Sequence, residues 1–126
     1  MPSDLFPELD AERARLAFAR SSRDEMIERL EALDPESAAD RARLGALYLR
    51  RARETGNYAD VTRAADQAAR SLALREAHND ATWGLLASAR LAQHDFAGAL
   101  QAAQALVAAD STNAVSRATE GEILLE

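Results

Sequence analysis

The sequence predicts an all-α fold. Hydrophobic residues make up 48% of the chain but aromatic residues only 5%, so alanine and leucine, which favour helices, supply most of the apolar content. The β-branched and aromatic residues that favour strands are scarce. The chain has only five glycines and three prolines, so each can be read as a candidate helix boundary.

Composition also limits the classes of function. The chain has no cysteine, which excludes disulfides, thiolate metal sites and a cysteine nucleophile. Its formal charge of −6 and sequence pI near 4.9 disfavour electrostatic binding of nucleic acid or an anionic membrane. No segment approaches the roughly 20 apolar residues of a membrane-spanning helix. We therefore expect a soluble protein without direct membrane insertion.

The first ten residues carry two acidic residues and neither a basic nor an apolar signal-peptide region. This pattern slightly favours the cytoplasm. A location outside the cytoplasm requires that an export signal has been removed. The compartment itself stays unassigned.

Two helices are predicted before Pro35. An irregular first helix covers roughly residues 8–20. Ser22 and Glu25 then have the spacing of a capping box, which predicts a second helix through "MIERLEAL", ending at Asp34-Pro35.

Two further helices are predicted around Gly56. Ser37 is a candidate N-cap, and Gly56-Asn57 offers the left-handed exit of a helix C-terminus. A following helix starts at about Tyr58. The apolar positions predicted to face inward are Leu44, Leu47 and Tyr48 on the first of these helices and Val61, Ala65, Ala68 and Leu72 on the second.

The stretch "LAQHDFAGAL" is predicted to be the turn of another helical pair. Its first helix begins after a cap at Asn79 or Asp80, and Asp95 caps the second. A last helix is expected from Asn113. Inward positions follow helical spacing: Trp83, Leu86, Ala87 and Leu91, then Phe96, Ala99, Leu100, Ala103, Leu106 and Val107.

These helices recur at a fixed period with recognisable residues. "WGLLA" at residues 83–87, followed by Ala99, resembles the pattern of the tetratricopeptide repeat (TPR) family, and "LGALY" at residues 44–48 matches its L-G-x2-Y core. Gly121 follows Ala87 by 34 residues, which is the period of that family. Departures from the pattern are Arg90 for Tyr, Ala68 and Ala103 for Phe, and Glu76 and Ser111 for Pro.

The resemblance implies an α-solenoid of antiparallel helix pairs, about seven helices in a right-handed superhelical stack. Extra residues in "RRARETGNYADV" make the chain similar to bacterial TPR proteins with one lengthened repeat. The implied single domain is divided into a degenerate N-terminal pair (1–36), a lengthened repeat (37–78), a repeat (79–112) and the first helix of a further or capping repeat (113–126).

Small residues are expected where the helices cross, because they allow close backbone approach. Gly45, Ala87 and Gly121 on first helices would meet Ala64 and Ala99 on second helices. A hairpin in such a stack exposes an apolar side until a neighbouring hairpin covers it.

The resemblance also implies a concave groove that holds a peptide or helical segment. Chaperone-binding members hold a carboxylate with Lys and Asn, but this chain has Ala42, Ala46, Gly84 and Ser88 there, so that specificity is not expected. Arg50 is the one charged position. The implied groove residues are Ala39, Ala42, Ala46, Leu49, Arg50, Ala81, Gly84, Leu85, Ser88, Leu91, Val115 and Ala118.

Catalytic and metal sites are weighed against ordinary structural roles. The His94-Asp95 pair could be a base with its orienting acid, but turn and capping chemistry is favoured because neither a Ser nor a second His lies at a motif spacing. A zinc site would require His78, Asp80, His94 and Asp95 to converge. We expect no enzyme activity, no cofactor and no metal.

An arginine-rich segment could bind phosphates, but it lacks interleaved aromatic residues for base stacking. Solvation, or pairing with the acidic flanking helices, is favoured instead, with Arg50 as the exception. The segment contains Arg41, Arg43, Arg50, Arg51 and Arg53.

The predicted function is a non-catalytic scaffold that binds a protein or peptide in a mostly apolar groove. The alternative is a self-associating module. Ile123, Leu124 and Leu125 have no following helix to cover them, and an uncovered apolar end favours a homodimer or indicates a fragment of a longer array.

Overall fold

The computed structural model describes residues 7–33 and 36–109, which contain five helices. Helix α1 covers Pro7–Leu33, α2 covers Ala38–Thr55, α3 covers Tyr58–Leu74, and α4 covers Asp80–Ala92. Helix α5 covers residues 96–109, as far as the chain is described. No strand occurs within these ranges, and the all-α prediction is confirmed.

The chain divides into two compact units, Met1–Asp34 and Pro35–Glu126. The first unit contains α1, on which Arg23, Ile27 and Leu30 are buried at helical spacing. The second contains α2 to α5. Helix α2 packs along α3, and α3 packs along α4.

The predicted helix break near Ser22 is wrong, because Pro7–Leu33 is one continuous helix. Serine inside a helix costs only a few tenths of a kcal/mol relative to better helix formers, roughly 0.5 kcal/mol against alanine. Neither glycine nor a further proline occurs between residues 8 and 33. A capping pattern without a helix breaker therefore did not end the helix, and the predicted N-terminal pair is a single helix.

The turn between α2 and α3 follows the prediction. The Ser37 hydroxyl accepts a hydrogen bond from the Asp40 amide at 3.3 Å, which caps α2. Gly56 adopts the left-handed conformation at φ 74°, and its amide donates to the Ala52 carbonyl. This conformation is strained for other residues, so glycine suits the position. The Asn57 side chain then caps α3 through the Ala59 amide at 3.0 Å.

The caps of α4 and α5 differ from each other. Asn79 is the N-cap of α4 by position, but its side chain makes no capping bond to the backbone. Its amide group instead donates to the Ser71 hydroxyl at 3.0 Å and accepts from the Thr82 hydroxyl. Asp95 accepts from the Gly98 amide at 3.0 Å, as the capping prediction requires.

The core of the second unit is built on small residues. Ala68, Leu86 and Ala102 form a buried cluster, against which Trp83, Leu85 and Ala87 pack, among others. A Cβ atom at Gly45 would lie only 3.2 Å from the Ala64 carbonyl oxygen and 3.1 Å from the Leu85 Cδ2 atom. The predicted close approach of Gly45 and Ala64 is therefore present, whereas Gly121 lies outside the described residues.

Four large residues predicted to face inward are exposed instead. Leu91, Phe96, Leu100 and Val107 are each more than half exposed. On α5 the buried positions are the alanines Ala99 and Ala102. The small side chains allow close packing, so the larger ones lie on the adjacent helix face.

The described residues contain neither a membrane-spanning helix nor a cluster of metal ligands. None of the helices found there is sufficiently long and apolar to cross a membrane. Within the same ranges, no group of three or more His, Cys, Asp or Glu residues is arranged to hold a metal ion.

Candidate functional site: a groove between helices α2 and α4

A cavity of about 500 Å³ opens between α2 and α4, and we call it the α2–α4 groove. Five of its lining residues share one face of α2, and three come from α4. Both helices pack on α3, which holds them side by side. The lining residues are Ala46, Leu49, Arg50, Arg53, Glu54, Gly84, Leu85 and Ser88.

The leucines on the floor of the groove pack on the core of the second unit. Leu49 is buried, with 5% of its surface exposed. Leu85 is half-buried: it packs on the cluster of Ala68, Leu86 and Ala102, and it lies close to Gly45. Ala46 and Ser88 have small side chains and leave the groove open. A partner side chain entering here would meet the exposed part of Leu85 and the small side chains of Ala46 and Ser88.

Gly84 lines the groove, and its packing does not require a glycine. A Cβ atom there would meet one side-chain atom, Leu106 Cδ2, at 3.6 Å, which is ordinary van der Waals contact. Alanine in a helix interior is more stable than glycine by about 0.8–1.0 kcal/mol. Gly84 thus widens the groove where alanine would fit and favour the helix, in contrast to Gly45, where backbone contact leaves little room.

Charge is concentrated at one end of the groove. Arg50 and Arg53 lie one helical turn apart on α2, and both are exposed. Glu54 lies beside them and has an interaction of its own. The prediction of Arg50 as the single charged position is therefore incomplete. The spacing of Arg53 three residues after Arg50 was the signal that could have identified it.

The structure places the twelve predicted groove residues in three groups. Six of them line the α2–α4 groove: Ala46, Leu49, Arg50, Gly84, Leu85 and Ser88. Four lie on α2 or α4 but are not among the lining residues: Ala39, Ala42, Ala81 and Leu91. Val115 and Ala118 lie outside the described residues. The binding role of the whole set stays a prediction.

The buried carboxylate of Asp60, on α3, holds α2 in place through an ion pair with Arg51. Asp60 at the start of α3 has 0% exposure. The Arg51 guanidinium donates to both of its oxygens, with Nε–Oδ2 at 2.8 Å and Nη2–Oδ1 at 2.9 Å. Arg63 adds a third bond at 2.9 Å, and the Arg51 guanidinium carbon lies 5.7 Å from the centroid of the Tyr48 ring.

These contacts lower the pKa of Asp60 below its ordinary value of 3.8. The hydrogen bonds from Arg51 are the main cause, burial opposes them, and Arg63 adds to the lowering. Sequence analysis predicted pairing of the arginine segment with acidic flanking helices. The structure shows such pairing for Arg51, with Asp60 on α3, the helix that follows the segment. Arg41 donates to the uncharged Gln67 on the same helix.

Both histidines lie in turns. His78 and His94 have positive φ angles of 56° and 61°, a left-handed conformation that is uncommon outside turns. The His94 ring makes an edge contact with the Phe96 ring at 6.1 Å between centroids. The prediction that the His94 segment is a turn is confirmed.

No protein-family model matches the chain, no curated protein matches it, and no solved structure matches it. Its function is therefore inferred from the geometry of the α2–α4 groove.

Proposed function

We propose that the chain is a non-catalytic protein-interaction module of TPR-like solenoid architecture that binds a peptide or helical segment in the α2–α4 groove. The proposal rests mainly on Gly84, which lines the groove at a helix position where alanine would fit and would favour the helix. The groove is apolar at its floor and charged at one end, as peptide-binding grooves commonly are.

The repeated use of small residues supports the solenoid part of the proposal. Gly45 and Ala64 occupy the crossing of α2 and α3, and Ala68 and Ala102 lie in the cluster around α4. Stacked helix pairs of a solenoid bury a continuous core in this way and leave one helix of each pair free to line a concave face.

The experiment is a selection from a display library of random peptides. The matched proteins are the wild type, an Ala46→Asp/Ser88→Asp variant, and a control with Ala69→Asp/Ala97→Asp at exposed positions away from the groove. Leu85 is left unchanged because it packs on the core.

The groove variant should bind the peptides selected on wild type about 100-fold more weakly, because two charges would be buried against an apolar ligand. Binding is measured by fluorescence anisotropy, and the control should keep wild-type affinity. Equal affinity of all three proteins would reject the assigned groove.

A second candidate function is self-association through α5. Leu100 is 59% exposed and Val107 is 65% exposed, and both line a cavity of about 380 Å³ with Ala103, Gln104 and Ala108. None of these lining residues is charged, a composition typical of homodimer interfaces. The residues first predicted for this role, Ile123, Leu124 and Leu125, lie outside the described residues.

Light scattering tests self-association. The wild type should have the mass of a dimer, and Leu100→Asp/Val107→Asp should have the mass of a monomer, because the change charges the apolar face. Neither Leu100 nor Val107 is among the lining residues of the α2–α4 groove, so the two substitutions leave that groove unchanged. A wild-type monomer at all concentrations would remove this candidate and leave the groove proposal intact.

A further inference from the structure

We infer that the α2–α4 groove selects an acidic, apolar segment of a partner protein, with carboxylates bound by Arg50 and Arg53 and an adjacent apolar side chain on the groove floor. This inference rests on the proposed function and adds the chemistry of the ligand. Nucleic acid and basic segments are the alternatives that it excludes.

The two arginines are available to a ligand. Among residues 7–33 and 36–109, neither the Arg50 nor the Arg53 guanidinium has a hydrogen-bond or ion-pair partner, although other arginines in the same unit, among them Arg51, Arg63 and Arg70, are paired. Arginine presents planar donors that match a carboxylate in two parallel hydrogen bonds. The exposed pair can therefore receive one or two carboxylates without breaking an existing contact.

Charge complementarity favours an acidic ligand. The lining contains two arginines and one glutamate, so this end of the groove is net positive on a chain whose formal charge is −6. An acidic segment gains attraction there and is repelled by the acidic surface elsewhere, which directs it to the groove. A basic segment would be repelled by the arginines of the groove and attracted to the acidic surface elsewhere.

The apolar side chains on the groove floor predict the second feature of the ligand, an apolar side chain next to its carboxylate. Leu49 and Leu85 lie beside Ala46 and Gly84, in the same groove as the arginines. Residues three or four apart on a helix are separated by about 5–6 Å between their Cβ atoms, so one turn of a partner helix could place a carboxylate at the arginines and a leucine on the floor. Nucleic acid would lack the aromatic platforms on which bases stack, because none of the eight described lining residues is aromatic.

The test uses the same display library with wild type and with Arg50→Ala/Arg53→Ala. A matched control, Arg13→Ala/Arg20→Ala, removes two exposed positive charges from α1. Wild type should select peptides enriched in Asp or Glu next to Leu, Ile, Val or Phe. The groove variant should lose the acidic enrichment and bind a wild-type-selected peptide about tenfold more weakly, while the control should not change.

Two further measurements check the electrostatic basis. The affinity of wild type for a selected acidic peptide should fall as the salt concentration rises, and that of Arg50→Ala/Arg53→Ala should fall less. Glu54→Gln should bind the same peptide about two- to threefold more tightly, because it removes a like charge beside the ligand.

The outcomes separate this inference from the proposed function. Selection of apolar peptides without acidic enrichment, with binding still lost in Ala46→Asp/Ser88→Asp, would overturn the acidic-segment inference and retain the groove. Binding that is insensitive to Ala46→Asp/Ser88→Asp, or the absence of any selected peptide, would overturn both.

Discussion

Replacing Gly45 by leucine should lower the free energy of unfolding by about 3 kcal/mol, at the upper end of the usual cost of overpacking. A side chain at this position would press on the Ala64 carbonyl oxygen and the Leu85 side chain, at 3.2 and 3.1 Å from its first carbon. The carbonyl belongs to the backbone of α3 and cannot move aside without shifting that helix. Urea unfolding followed by circular dichroism measures the change.

The same substitution at Gly84 is the matched control. Gly84 is also helical, but within the described part of the chain an added Cβ atom would meet only the Leu106 side chain, at 3.6 Å. Gly84→Leu should therefore change the free energy of unfolding by less than about 1 kcal/mol, because better helix propensity offsets the exposed apolar surface. Equal losses in the two variants would contradict the distinction between a packing glycine and a groove glycine.

Replacing Arg51 by leucine should lower the free energy of unfolding by about 3 kcal/mol, the lower end for breaking a buried ion pair. Asp60 is fully buried and would keep only the bond from Arg63, whose side chain is 51% exposed. Arg43→Leu is the control, because Arg43 is an exposed residue on the same helix. Thermal and urea unfolding near pH 7 measure both variants, and a similar small loss in both would contradict the role of the ion pair.

The ion pair also predicts an acid dependence with a defined sign. The pKa of Asp60 is lower in the folded chain than its ordinary value of 3.8. Its ionised form therefore stabilises the fold above pH 3.8, and this contribution is lost as the pH falls through the lowered folded pKa. Arg51→Leu should reduce the loss of stability in this acid range, because it removes the main cause of the lowered pKa.

Local signals in the sequence predicted the helix ends well. Ser37, Gly56 and Asp95 act through hydrogen bonds to amides or carbonyls a few residues away, so neighbouring residues contain the necessary information. The continuity of α1 was missed because a serine can occupy a helix interior as well as a cap. A glycine or a proline near Ser22 would have been needed to predict a helix end there unambiguously.

Contacts between helices were harder to predict. The pairing of Arg51 with Asp60 depends on the angle at which α3 leaves the turn, which helical periodicity does not specify. The exposure of Phe96 and Leu100 has the same origin, since two adjacent faces of α5 are apolar and packing on neighbouring helices determines which is covered. Half of the predicted groove residues line one cavity, because helical spacing places those of α2 on one face of α2 and those of α4 on one face of α4.

Mapping a bound peptide by amide chemical shifts tests the central claim most directly. The probe is a peptide selected on the wild-type protein, titrated into the isotopically labelled full chain. We predict that the largest shifts fall on residues 46–54 of α2 and 84–88 of α4, which contain the α2–α4 groove. Shifts confined to α1 or to the exposed face of α5 would contradict the assignment of this groove as the binding site.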